Sequence, residues 1–424
     1  MTRLHEERIS PESERLCRVG ISGSYGGMNL GDEAILESIT AELRRRLPVE
    51  IVVFSLVPED TVGRHDVDRV LPVRKLSRAE SAEEVERLDL FVLGGGGLLY
   101  DRDARHYLRE VRIAGELGIP VMTWAISAGP LENREDQLAA RRALNRADAI
   151  TVRDERDRCL LQEVGVGRDV SVTADPAFLM KPEPFTPEML KGEGIDPGTR
   201  LIALSVREPG PAAPHFERGH YHALLTDAAD FLVDRMEATV VFVPMERHNS
   251  DLQRSHGVVS RMAAPHKAWI LRGEYTPRQV LGFMSHVEFA VGMRLHFLIF
   301  AALAGVPFVP LPYASKVEGL VDELLYSHCR SRISRWVHCW PTSTAPGTGE
   351  TNCAPASGST CPPWSSAPAR PSTRPLLSSV YMRNRRRCPA MSCNMQIRSA
   401  AKRRANSLHV RGPFAPEEDG PLCS

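Results

Sequence analysis

GMRLHFLIFAALAGVPFVPLPYASKVEGL, residues 292–320, is the stretch that decides the fold. It closes a short buried strand, turns through two cationic residues and runs into an apolar helix. A second strand follows, and then a Ser-Lys pair opens another helix. A helix made only for burial needs neither Arg294 nor His296. A single histidine on an apolar helix is usually a core residue. This one stands in the first turn, two residues from an arginine, with Lys316 further on. Cations gathered at strand ends and helix N-termini suit a small, multiply charged anion such as a phosphate or carboxylate. Arg294, His296, Ser315 and Lys316 are therefore expected at the mouth of a β/α unit.

The same alternation extends in both directions. Upstream lie RLIALSV (200–206), ATVVFVP (238–244), KAWIL (267–271) and HVEFAVG (286–292), and VPFVPLP (306–312) completes that half. A first half repeats the scheme with RVGIS (18–22), EIVVFSL (50–56), LDLFVLGGGG (88–97), PVMTWAISAGP (120–130), ADAITVRDE (147–155) and VSVTADPAF (170–178). These runs are short and rich in β-branched residues, with helical spacing between them, which predicts parallel sheets covered on both faces. The expected class is α/β, with two Rossmann-like domains facing each other across a cleft. That organisation resembles the GT-B architecture of glycosyltransferases. The expected boundaries are an N-terminal extension at 1–16, a first domain at 17–180, a Pro-rich linker at 181–198 and a second domain at 199–328.

Residues 329–424 differ in kind. They lose all periodicity, become rich in Pro and Ser, and hold seven of the nine cysteines. From Ser331 onward there are 13 Lys+Arg and 4 Asp+Glu, a net of +9, which leaves −9 on the rest of a chain with formal charge zero. The expectation is a disordered basic tail, or residues read out of frame after about Tyr326. A mildly acidic body argues against specific nucleic-acid binding. The N-terminus MTRLHEERISPESER is charged and has no apolar core, so no secretory signal is expected. The apolar run 295–313 is interrupted by Pro307, Pro310 and Pro312, and reads as buried helix and strand rather than a membrane span. Cys17 and Cys159 are isolated, which fits a reducing cytoplasm and gives no zinc spacing.

In the first half, Gly23 to Glu33 (GSYGGMNLGDE) joins a strand to a helix. Its glycines let backbone N–H groups approach a ligand at a helix N-terminus. It lacks the G-x-G-x-x-G spacing and the Lys of a P-loop, so it gives no dinucleotide or NTP signature. Asn29 and Asp32 are the candidates here, with helix capping as the structural alternative. Gly94 to Gly97 end another strand, and Gly95 and Gly96 are candidates for close approach of a ligand, or of the two domains. Arg153 of TVRDE is expected to cap, to pair with Asp154 or Asp175, or to reach the cleft. Arg207 follows its strand directly and is a candidate anion ligand. His248, Asn249 and Asp251 follow the next strand.

Together, GGMNLGDEAIL, LGGGGLLYD, ITVRDE, TADPAF and residues 292–320 resemble the polysaccharide pyruvyl transferase family, over roughly residues 17–322. The Arg-Leu-His block with its downstream Tyr-x-x-Lys-Val is the most specific part. The resemblance implies transfer of the pyruvyl unit of phosphoenolpyruvate to a sugar, as a ketal, on a cell-surface polysaccharide or its lipid-linked precursor. Phosphoenolpyruvate is then the co-substrate, no cofactor or metal is implied, and the place is the cytoplasm or the inner face of the membrane. Arg294 and His296 fall on the family's donor-binding and catalytic positions. Arg207, Lys316 and Ser315 would assist in binding, and Asp32 would act as base across the cleft. The competing readings are a sugar-nucleotide-dependent glycosyltransferase with Glu318 on the ribose, a non-enzymatic sugar-binding protein, and an inactive product of a disrupted frame. The helices expected after Leu325 are not seen in the sequence.

Overall fold

The computed structural model describes residues 16–208, 218–246, 251–311 and Val317. His248, Asn249, Ser315, Lys316 and Glu318 lie outside them, as do nearly all of the N-terminal extension and the whole of the 329–424 tail.

Fourteen strands and eleven α-helices follow one another among those residues. The first lobe holds β1 (Cys17–Ser22), α1 (Leu30–Arg46), β2 (Val49–Ser55), α2 (Pro58–Arg64), β3 (Arg69–Pro72), α3 (Arg78–Glu86), β4 (Leu90–Leu93), β5 (Gly96–Leu99) and α4 (Ala104–Leu117). It continues through β6 (Val121–Thr123), β7 (Ile126–Ala128), α5 (Arg134–Leu144), β8 (Ile150–Val152), α6 (Glu155–Glu163) and β9 (Val170–Val172). Next come α7 (Pro187–Gly192), β10 (Leu201–Ser205), α8 (Arg218–Met236), β11 (Thr239–Phe242), α9 (Asp251–Val259) and β12 (Ala268–Ile270). The last elements are α10 (Pro277–Phe283), β13 (Val287–Gly292), α11 (Leu295–Leu303) and β14 (Phe308–Pro310).

Both lobes are built on the same parallel sheet. The first has the order β3-β2-β1-β4-β6 and the second β12-β11-β10-β13-β14. Each reverses direction at its first strand, and such a switch point opens a crevice beyond the strands' C-terminal ends. In the first lobe that crevice lies between β1 and β4, and in the second between β10 and β13. A further sheet, β5-β7-β8-β9, extends the first lobe.

The glycine-rich strand ends differ from expectation. Residues 88–97 and 120–130 do not form one strand each. They break at Gly94–Gly95 and at Trp124–Ala125, giving the pairs β4/β5 and β6/β7. Ala125 adopts positive φ at 53°, which ends a regular ladder. β3 was not foreseen: its four residues are all half-buried and end in Pro72, as suits a short edge strand.

The connection at 181–198 is not a tether. Thr186 caps α7 by accepting from the Met189 N–H, with Pro187 at the first helical position. Phe185, Leu190 and Ile195 are buried in the second core. Burial of three such side chains stabilises that lobe by about 1.5–3 kcal/mol each. In α11, Leu295, Phe297, Leu298, Ile299, Phe300 and Ala301 are all buried, so the helix is enclosed on nearly every side. It is the central support of the site. The N-terminal end of α1 also enters this core through Leu30 and Ala34, so one helix belongs to both lobes.

Candidate active site

The two switch points face one another, and sheet register fixes what stands at each. In the second lobe Ser205 pairs with Gly292, and the Met293 N–H donates to the Ser205 carbonyl at 3.1 Å. Arg207 and Arg294 therefore leave the sheet side by side, each two residues beyond a paired position. In the first lobe Ser22 pairs with Leu93, and the Gly94 N–H donates to Ser22 at 2.7 Å. The 23–29 loop and the glycine turn thus leave together. The lobes meet directly here: the Leu30 N–H donates to the Met245 carbonyl at 2.8 Å, and Asn29 forms an antiparallel bridge with Glu246.

His296 sits in that seam. Its Nδ1 packs so closely on Gly31 that a β-carbon there would fall on the ring. Its Nε2 is buried without a hydrogen-bond partner among the described residues, and lies 3.5 Å from Asp175 Oδ2. Asp175 also accepts from Arg153 Nη1 at 2.9 Å and from the Ala177 N–H at 2.9 Å. Burial alone would push the Asp175 carboxyl up. The neighbouring His296, then Arg153 and the Ala177 amide, outweigh this and hold it well below the usual carboxylate range. Asp175 is thus an anion that orients His296.

Two further buried donors within the electrostatic reach of Asp175 have no hydrogen-bond partner among the described residues. Arg153 is 6% exposed, and its Nη2 is buried with no hydrogen-bond partner among the described residues. Burial works against its charge, but Asp175, Asp157 and Asp154 more than compensate and raise its pKa. Tyr25 is fully buried and its Oη has no hydrogen-bond partner among the described residues. Burial, then the charges of Asp32, Glu33 and Asp175, push its pKa well above the ordinary phenol range, so it remains an O–H donor. The sequence left Arg153 open between a structural pair and the cleft. Its Nη1 makes the pair with Asp175, and its Nη2 has no hydrogen-bond partner among the described residues.

Arg294 is engaged by carboxylates of its own chain. Its Nε and Nη2 grip both oxygens of Asp251, at 2.9 and 2.6 Å, and Nη2 also donates to Glu246 at 2.6 Å. At 7% exposure its fork is turned onto carboxylates of its own chain. The planar geometry that suits a phosphate suits Asp251 equally. Asp251 in turn accepts from the N–H groups of Met245 and Glu246, at 3.2 and 3.1 Å. Arg294 therefore anchors the strap that meets Asn29. Arg207 is half-buried at the end of β10.

On the first-lobe side, Asn29 caps α1 by accepting from the Gly31 N–H at 3.0 Å. Asp32 is half-buried, and its Oδ1 would lie 3.2 Å from a β-carbon on Gly96, which itself has φ +106°. Gly95 is compact because the Trp124 carbonyl and Ile35 press on it, and Gly94 because Tyr25 Oη does. Intramolecular packing thus explains three of the four glycines. Gly97 is exposed, with nothing within 4 Å of its β position. Among the described residues no group of three or more His, Cys, Asp or Glu is arranged to hold a metal ion, and no helix is long and apolar enough to cross a membrane.

A two-lobed, doubly wound α/β protein with its polar groups at opposed switch points is the class defined by this fold and site. The profile of the family described as polysaccharide pyruvyl transferase matches residues 29–315, and the chain belongs to that family. Among solved structures, the UDP-GlcNAc 2-epimerase of Methanocaldococcus jannaschii is similar with a TM-score of 0.50 at 10% identity, over 72% of this chain and 92% of that one. The glycosyl transferase family 9 structure from Veillonella parvula gives 0.40 at 15% identity, over 70% and 84%. The E. coli ADP-heptose LPS heptosyltransferase II gives 0.39 at 15%, over 74% and 100%. The epimerase likeness is one of fold. No curated protein matches the chain.

Proposed function

We propose that this protein moves the pyruvyl unit of phosphoenolpyruvate onto a sugar of a bacterial cell-surface polysaccharide or its lipid-linked precursor, forming a ketal. Family membership supports the reaction class. The observation that carries the site is the group around Asp175, which lies 3.5 Å from His296 Nε2, accepts from Arg153 Nη1 and acts on buried Tyr25, while Arg153 Nη2 and Tyr25 Oη keep hydrogens without a partner among the described residues. Buried donors left without partners are costly, and a doubly anionic ligand would satisfy them.

In this reading Arg153 and Arg207 hold the carboxylate and phosphate, with Lys316 and Ser315 as further ligands. Arg294 holds the protein strap rather than the donor. His296, beside Asp175, gives a proton to the methylene carbon and leaves an oxocarbenium-like centre beside it. A sugar hydroxyl adds to that centre and gives its proton to Asp32. The C–O bond to phosphate then breaks, and a second hydroxyl closes the ketal, its proton passing to the departing phosphate. Phosphoenolpyruvate and a diol become a ketal and inorganic phosphate. The reaction is placed in the cytoplasm, at the inner membrane face when the acceptor is lipid-borne.

The test incubates the full-length chain with labelled phosphoenolpyruvate and a panel of saccharide acceptors, following label transfer and phosphate release. His296→Ala is expected to lower kcat by about 10²–10⁴-fold, the usual worth of a positioned acid. Full turnover in that variant, or sugar transfer from a UDP-sugar with phosphoenolpyruvate untouched, overturns the assignment.

A further inference from the structure

Glu33 is 1% exposed, in the first turn of α1. A first-turn acid is normally a solvated partner of the helix dipole, and burying one costs several kcal/mol unless its oxygens are bonded. Both oxygens are. Oε1 accepts from the Gly26 N–H at 3.0 Å, and Oε2 is 2.7 Å from His65 Nε2. The His65 side chain is itself 2% exposed, at the C-terminal cap of α2. The pair therefore ties three pieces together: α1, the 23–29 loop and the end of α2.

The loop has no freedom elsewhere. The Tyr25 carbonyl accepts from the Leu56 N–H at 2.9 Å and from Ser55 Oγ at 3.3 Å. Gly26 has φ +77°, and any β-carbon there would strike Ser55 Oγ and the Val57 backbone. Its far end is fixed by the Asn29 cap. Three groups of the proposed reaction hang from this frame: Tyr25 Oη, Asp32 beside Glu33, and Gly31 against the His296 ring.

We propose that Glu33 and His65 are positioning residues of the proposed reaction, their buried hydrogen-bonded pair holding the 23–29 loop and the first turn of α1 in the shape that sets Tyr25, Asp32 and His296 around the donor. The inference rests on the function proposed above. An apolar pair of like volume would fill the same space without desolvating a carboxylate. What the polar pair adds is direction, since the two bonds to Glu33 define one arrangement of the loop.

The experiment uses the full-length chain and two variants. His65→Gln keeps an N–H near the Nε2 position; His65→Leu keeps volume and removes the donor. Turnover with phosphoenolpyruvate and hydrogen exchange at the Gly26 amide are read in parallel. His65→Leu is expected to lower kcat by about 10–100-fold with KM for phosphoenolpyruvate within about twofold, the pattern of lost transition-state geometry. Its Gly26 amide exchanges faster, and His65→Gln restores both readouts. Should His65→Leu not fold, Glu33→Gln takes its place with the same expectation. Unchanged turnover, a loss carried by KM, or an unchanged Gly26 amide overturns the positioning role. A wild-type chain with no turnover sinks the reaction instead, and the exchange comparison then decides the pair alone.

Discussion

Asp157 shows what single residues contribute around the site. It is 3% exposed in the first turn of α6, accepting from the Ala128 N–H at 2.8 Å and from Ser127 Oγ at 3.1 Å. Burial, then the neighbouring Asp154, push its carboxyl up to about 7 against the pull of Arg153. The consequence for stability has a definite sign. Between about pH 4 and 7 the native chain holds a proton at Asp157 that the unfolded chain has released. The contribution of this group to stability is thus present at low pH and is lost as the pH rises through that window. Asp157→Asn keeps an acceptor for both donors and removes the titration. In urea unfolding at pH 5 and pH 8, the variant is expected to gain on wild type by on the order of a few kcal/mol at the higher pH. A pH-independent difference between the two proteins contradicts the buried, raised carboxyl. Asp175, close by, is the opposite case: its depressed carboxyl contributes above the unfolded value and is lost in acid.

At the scale of elements, α1 links the lobes, and Gly31 is its tightest point. Alanine is the better helix former by up to about 1 kcal/mol, so Gly31→Ala would favour the helix taken alone. The added methyl, however, occupies the place of the His296 ring. The expected result is little change in melting temperature and a fall in turnover of about tenfold or more, as a displaced acid loses its geometry. Normal turnover in Gly31→Ala would show that the ring is not held by this contact. Much of this scale was legible in the chain. Each apolar β-branched run holds a strand, two of them broken into a pair, and the cationic turn before LHFLIFAAL did open a buried helix. β3 was not, because RVLP is half-buried, ends in Pro72 and has no alternation. The helix α7 was hidden by its prolines, although Thr186-Pro187 is a capping signal. The Arg153–Asp175 pair was among the partners open to Arg153 in the sequence, but the place of His296 beside Asp175 was beyond reach, since residue type gives no direction to a side chain across more than a hundred residues. For the same reason Arg294 was legible as a gripping cation, but not as one whose grip closes on Asp251.

At the scale of the whole molecule, that grip determines how the lobes meet. Asp251 holds Arg294 on one side and the Met245 and Glu246 amides on the other, and these residues bridge to Asn29 and Leu30. Elsewhere the lobes are joined by α1 in the second core and by Arg278, which lies 3.6 Å from Glu37 and 3.1 Å from Glu183. Burial, the largest influence, pushes the Asp251 carboxyl up, and Arg294 only partly offsets this. A buried ion pair of this kind adds little net stability when intact, yet removing one partner strands the other charge at a cost of about 3–5 kcal/mol. Arg294→Met and Asp251→Asn are therefore each expected to destabilise the protein by an amount of that order. Their combination should cost less than the sum, with a coupling of about 1–3 kcal/mol in the double-mutant cycle. Because α1 and the strap belong to both lobes, wild type should unfold in one denaturant transition, and the single variants should split it into two. Additive single effects would mean that Arg294 and Asp251 do not act as a unit, and the seam would then depend on α1 and Arg278.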